Sequence, residues 1–470
     1  MRNLLLLLTL CLLGLSVPIN GQDYGNSWIN YSQTYYKFQS EEKGLHRIPY
    51  SALVSEGIGL TGVDFKLFNH GEQIPIFVST DGAFGSNDYI EFYGEPNNGD
   101  FDTQLFAQPN HQLQDYTSLF TEDNSFYLVS DPIGSHLRIE SQVNDITNVP
   151  APEEFFTYKS IKVTDNSYHF GEPYSTVGVL SYYSTYDQGE GWVSGIVLES
   201  LNPVTGNNIG FDVKVPTESL YEGDATIPCN VQCKVVGRNK STGVINDKHI
   251  EICVDGDSYI DAFFSRFNVA NYFFSMPVDK INTSTDFAGN IDTKVKFKAW
   301  DGMQAGFPYD TRFSVAYTSI DYPRKFEFGN ETSFDFTLTV DETKYIEIDD
   351  FDGGTAPLMY NLSTKKRIFP IFENGVYKFK VEPEGPLFHR FYITKDDSNT
   401  ITTVGDMRPR TFTNFNSPTN QGDYLLIYHE SLIDGTGNPI QEYADYRSSM
   451  MGGGHQVVTV EIEELYDQFA

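Results

Sequence analysis

Nine histidines, four cysteines and 64 acidic side chains are the groups from which catalysis could be built in this chain of 470 residues, and their spacing decides which chemistry is open. Cys–His catalysis needs a thiol beside a base that a third group orients. His429 follows the apolar run Tyr424 to Tyr428, at the carboxyl end of what reads as a parallel strand. That is the edge at which α/β sheets bind ligands, although a strand-end histidine is more often a plain loop residue. His249, in KHIEIC, alternates with strand residues and reads as structural. No GxSxG, HExxH, P-loop or GxGxxG signature occurs.

Cys229, Cys233 and Cys253 remain once Cys11, inside the N-terminal apolar run, is set aside. Cys229 and Cys233 have the look of a metal half-site, but a second pair is missing and no histidine follows at zinc spacing. On one strand, positions i and i+4 lie about 13 Å apart, beyond disulfide reach. Two readings stay open: buried small residues on sandwich strands, or a bridge from Cys253 to one of the others.

Three acidic clusters could place several oxygens on one calcium ion: Asp349, Asp350 and Asp352 before Gly353-Gly354; Asp255, Asp257 and Asp261 around Gly256; and Asp100 with Asp102 after Asn97-Asn98-Gly99. None has EF-hand spacing, and Asp with Gly also marks ordinary turns. Trp192, Tyr182, Tyr183 and Tyr186 could form a sugar-stacking platform, against the default of core packing for alternating aromatics. No catalytic or cofactor-binding residue is assigned, structural calcium stays a candidate, and the metal site is unknown.

The elements that must position these groups are mostly strands. Short alternating runs recur from residue 22 to 148, among them TYYKFQ, VDFKLF and QIPIFV, separated by turn clusters. NDITNVPAPEE reads as a linker, and residues 155–320 carry a second series, including CNVQCKVVG, KHIEICVDG, KVKFKAW and FSVAYTSI, at sandwich or jelly-roll spacing. A smaller β-segment covers 326–403. From residue 421 the pattern changes. Tyr424 to Tyr428 reads as a strand, Asn438 and Pro439 as the start of a helix with Ile440, Tyr443, Ala444 and Met451 on one apolar face and Gly452 as its stop, and Gln456 to Ile462 as a second strand. Leu465, Tyr466 and Phe469 begin a further connection. A parallel βαβ unit alone cannot bury both faces of its sheet, so residues 421–470 read as the truncated start of an α/β domain.

At these residues the chain resembles the opening of the peptidase domain of gingipain-like cysteine peptidases: Asp423 to His429, Tyr446 to Ser449 and Val460 to Phe469 match that family's strand, helix and strand pattern. Ser314 to Phe326, Gly189 to Trp192 and Asp88 to Thr103 extend the resemblance over most of the chain. The resemblance implies a mainly β architecture, two or three β-sandwich-like domains followed by the first βαβ unit of a caspase/gingipain-like α/β domain. It also implies that the catalytic His-Gly and Cys lie on later strands, so that this part is non-catalytic and inactive as it stands. The complete protein would then be a cysteine endopeptidase acting on protein or peptide substrates. The alternative reading is a β-sandwich surface protein that binds carbohydrate or a protein partner.

Composition bears on both. Aromatics make up 15% of residues and charged residues 20%, which argues for large packed cores. A net charge of -32 repels phosphate backbones, so no nucleic-acid partner is expected. Arg2, the apolar run Leu4 to Leu15 and Gly21 have the form of a cleaved signal peptide over residues 1–21, which implies a secreted or cell-surface location and a secretion machinery as partner. No segment has the length of a membrane span, and Cys11 lacks the small residues that precede a lipidated cysteine.

Overall fold

Strict alternation along the strands sets the architecture. In Cys229–Gly237 the side chains of Cys229, Val231, Cys233 and Val235 are buried, while Asn230 and Gln232 point the other way. The computed structural model describes residues 26–469 apart from 177–178, 183–185, 434 and 436. The signal-peptide segment, Cys11 and Tyr183 lie outside the described residues.

The molecule is mainly β, and among the described residues its larger sheets pack around three large cores, with smaller apolar clusters beside them. The first core, with Phe38, Ile48, Phe65, Phe92 and Phe126, lies between two sheets. One has the order Arg408–Arg410, Tyr35–Ser40, Asn124–Ser130, Phe65–Asn69, Glu72–Ile74; the other has Thr402–Thr403, Gly44–Pro49, Tyr89–Gly94, Phe77–Val78. In the second, Cys229–Gly237 lies between Val269–Met276 and the 13-residue strand Arg312–Arg324, which also pairs with Phe156–Val163. This sheet covers a second one made of Phe211–Pro216, Asp292–Trp300, Lys248–Val254 and Asp257–Phe264. The third core, around Phe328, Phe336, Ile346, Phe379 and Phe391, is enclosed by strands between Glu327 and Thr394.

Strand pairing links segments far apart in sequence. Thr402–Thr403 and Arg408–Arg410 return to the edges of the first pair of sheets, and Glu140–Gln142 pairs in parallel with Lys366–Ile368 of the third. A buried carboxylate fastens the first and third bodies: Glu91 receives Arg47 Nε at 2.9 Å and the hydroxyl of Tyr360, with Arg367 Nη2 at 3.4 Å.

The C-terminal unit is a parallel βαβ, as its sequence pattern implies. Tyr424–Tyr428 pairs with Val457–Glu461, and helix Pro439–Ser448 joins them. Asn438 caps that helix by accepting from Gln441 N at 3.0 Å, and Pro439 occupies the first turn. Two details differ from the sequence reading. The helix stops at Ser448, and a 3-10 turn Met450–Gly452 follows, in which a Cβ on Gly452 would meet Tyr446 O at 1.8 Å. Met451 is thereby turned out, 89% exposed, and Ala444 is the buried residue of the helix face. Among the described residues no helix is long and apolar enough to cross a membrane.

Candidate functional site

The seat of the C-terminal unit on the first pair of sheets is the most highly organised polar site in which this unit takes part. Tyr35–Ser40 aligns Tyr35 with Arg410 on one neighbouring strand and Lys37 with Tyr127 on the other. The side chains of Lys37, Tyr127 and Arg410 then converge on one carboxylate, that of Asp467 in helix Ile462–Phe469. Lys37 Nζ donates to Oδ1 at 2.6 Å, Tyr127 hydroxyl donates to Oδ1 at 2.7 Å, and Arg410 Nε lies 2.7 Å from Oδ2. Arg410 Nη2 stands 3.5 Å from Glu461. Burial and the adjoining Asp467 charge hold the Tyr127 phenol well above its ordinary pKa, which keeps it a proton donor here.

The rest of that helix docks by the same polar stripe. Glu464 accepts from Thr413 N at 2.6 Å, and Gln468 Nε2 donates to Thr413 O at 3.1 Å. Glu464, Asp467 and Gln468 fall at i, i+3 and i+4, whereas Tyr466 is exposed. Sequence reasoning missed Lys37, Arg410 and Asp467, since a polar stripe at helical spacing has the form of a solvated face.

The residues singled out from sequence are scattered. His429 is exposed; its Nδ1 accepts from Ser431 N at 3.1 Å and caps the turn Glu430–Leu432. His249 pairs with Asp261 at 2.6 Å and stacks on Phe263. The three thiols are buried, with Cys229 and Cys233 facing the second core and Cys253 donating to Glu251 at 3.2 Å in the opposing sheet. Burial pushes Cys229 up to about 11 and Cys233 up to about 12, so neither is a thiolate at neutral pH.

The acidic clusters serve turns and lysines. Asp255 and Gly256 have φ of 47° and 83°, the left-handed pair of a two-residue hairpin between Lys248–Val254 and Asp257–Phe264. Asp257 pairs with Lys280 at 2.6 Å, and Asp352 with Lys395 at 2.9 Å. Asp349 accepts from Asp350 N at 2.8 Å. Asp102 is buried and accepts from Leu119 N at 2.7 Å, while Asp100 accepts from Asn98 Nδ2 at 2.9 Å. Among the described residues no three His, Cys, Asp or Glu side chains gather as metal ligands.

The aromatic residues divide in two. Trp192 meets Tyr168 at a centroid distance of 5.3 Å, and Tyr168 leads through Phe170 to Tyr182, with Trp192, Phe170 and Tyr182 all exposed. Tyr186 instead packs against Phe106 and Phe120.

With this geometry in view, the fold can be compared with solved ones. A crystal structure of dimeric latent PorU from Porphyromonas gingivalis superposes on 93% of this chain with a TM-score of 0.53 and 12% sequence identity, and the chain spans 38% of the PorU chain. The likeness is one of fold. The ANX1 ectodomain from Arabidopsis thaliana matches 63% of the chain with a TM-score of 0.18, too low to carry any argument. No protein-family model and no curated protein matches the chain.

Proposed function

We propose that this chain is the N-terminal, non-catalytic part of a secreted gingipain-like cysteine endopeptidase, a β scaffold on which the α/β peptidase domain begins. The observation that carries this reading is the seat of Asp467. Three strands of the first sandwich hold one carboxylate of the helix that follows the second parallel strand, so the scaffold fixes where an α/β sheet starts. The motif resemblance and the PorU-like fold over 93% of the chain support it. In the complete protein a thiolate on a later strand would attack the peptide carbonyl, with histidine as proton carrier. The three described thiols, buried and with raised pKa, are poor candidates for that nucleophile.

Two measurements test the proposal. The purified chain should not hydrolyse labelled casein, and the reading frame past codon 470 should continue into parallel strands bearing His-Gly and Cys. Activity that disappears in Cys253→Ala would overturn the non-catalytic assignment. A stop codon at that point would favour the second reading, a surface protein that binds carbohydrate or protein, for which the exposed rings of Trp192, Phe170 and Tyr182 speak.

A further inference from the structure

The outer face of the sheet containing Cys229–Gly237 carries a polar groove of about 360 Å³ that neither reading above uses. Register builds it in two rows. Lys159, Asp321, Asn230 and Ser275 lie side by side on four strands, and Ile161, Ser319, Gln232 and Phe273 form the next row. The row beyond is closed, because Asp115 takes both Lys234 Nζ and the Tyr317 hydroxyl at 2.7 Å.

Within the two open rows the hydrogen-bonding capacity is only partly used. Ser275 Oγ donates to Asn230 Oδ1 at 2.7 Å, which leaves the Asn230 amide N–H groups as donors. Gln232 Nε2 donates to Tyr317 at 2.7 Å, which leaves its carbonyl oxygen as an acceptor. Asp321 Oδ1 is shielded from solvent and has no hydrogen-bond partner among the described residues, Lys159 Nζ stopping 3.8 Å away. The Asp321 side chain as a whole is 29% exposed, so its other oxygen is the one open to a ligand hydroxyl. Burial raises the Asp321 pKa against the opposing pull of Lys159. Beside these groups the ring of Phe273 is 65% exposed.

Solvent-accessible donors and acceptors without protein partners, arrayed next to one open aromatic ring, match a sugar, which offers hydroxyls on its rim and a C–H face to stack. An extended peptide fits less well, since the groove lies over the sheet face, where the backbone groups are already committed to the ladder. The net charge of -32 disfavours acidic polysaccharides. We propose that this groove binds a neutral oligosaccharide, with Phe273 stacking on a sugar ring and Asp321, Asn230 and Gln232 taking its hydroxyls. The site is independent of the peptidase reading.

Saturation-transfer NMR and calorimetry on the whole chain with maltotetraose, cellotetraose, chitotetraose, xylotetraose and mannotetraose test this. At least one should bind, and Phe273→Ala and Asn230→Ala should each weaken it about ten-fold, the loss of one stack or one hydrogen-bonded pair. Both substitutions are at exposed positions, so an unchanged thermal midpoint confirms folding, and Trp192→Ala should bind like the parent. Binding of none of the five overturns the proposal. So does binding that survives both groove variants, or that is lost in Trp192→Ala.

Discussion

Asp467 holds the ammonium of Lys37 at 2.6 Å across 430 residues of sequence. Around them, Tyr127 and Arg410 complete a cluster in which one carboxylate faces two cations and a phenol. Beside it the sheet carries the aromatic group of Trp28, Tyr35 and Phe412. The C-terminal α/β unit is thus fixed to the strand that opens the first sandwich and to the strand that closes it.

Replacing Asp467 by Asn should loosen this unit selectively. Lys37 would be left largely buried without its carboxylate and Arg410 with Glu461 alone, a loss of about 3 kcal/mol for breaking such a site from one side. In the parent, amides of residues 424–462 should already exchange faster than those of Val231 to Val236 and Ile250 to Val254, because their two-stranded sheet is exposed at Leu425 and Ile427. In Asp467→Asn the exchange of 424–462 should quicken further while the sandwich strands stay as they were. Unchanged exchange in the variant would show that the ion cluster does not hold the unit.

Glu91 is the corresponding point between the first and third bodies. It is fully buried, and it is the acceptor for Arg47 and Tyr360 and the counter-charge of Arg367, which itself lies over the ring of Phe77. Glu91→Ala leaves Arg367 buried without that carboxylate, so urea unfolding should show a loss of about 3–5 kcal/mol. Glu91→Gln, which retains an acceptor, should lose less. Equal losses in the two variants would mean that packing rather than charge decides.

Legibility from sequence followed the reach of the interactions. The βαβ unit was readable because its signals are local: the apolar run Tyr424 to Tyr428, the Asn438 cap and Pro439 at the first turn. The alternation of Asn230 and Gln232 with Cys229, Val231 and Cys233 also shows which side chains face out. What alternation lacks is register, so the alignment of Asp321, Asn230 and Ser275 into one row appears only in the paired strands. The return strands Thr402–Thr403 and Arg408–Arg410 are two and three residues long, the latter with a proline suited to an edge, and carry no periodic signal. The Asp467 seat was hidden for a related reason. Its helix docks through polar side chains whose partners are 51 to 430 residues away.

The pH dependence of stability should be governed in part by His169. This residue is 4% exposed, and its Nδ1–H donates to Gly189 O at 2.6 Å. Burial pushes its pKa down to about 4 from the ordinary 6.5, and the burial of His46 acts in the same direction. A depressed histidine pKa means that the folded state takes up a proton less readily than the unfolded chain. The stabilisation is therefore complete above pH 6.5 and is lost progressively as pH falls to about 4. For His169 alone the full effect is about 3 kcal/mol. Urea unfolding at pH 7, 5.5 and 4.5 should show this decline in the parent. His169→Gln should be less stable at pH 7 but decline less between pH 7 and 4.5, since glutamine has no proton to gain. Parallel declines in parent and variant would place the acid sensitivity elsewhere.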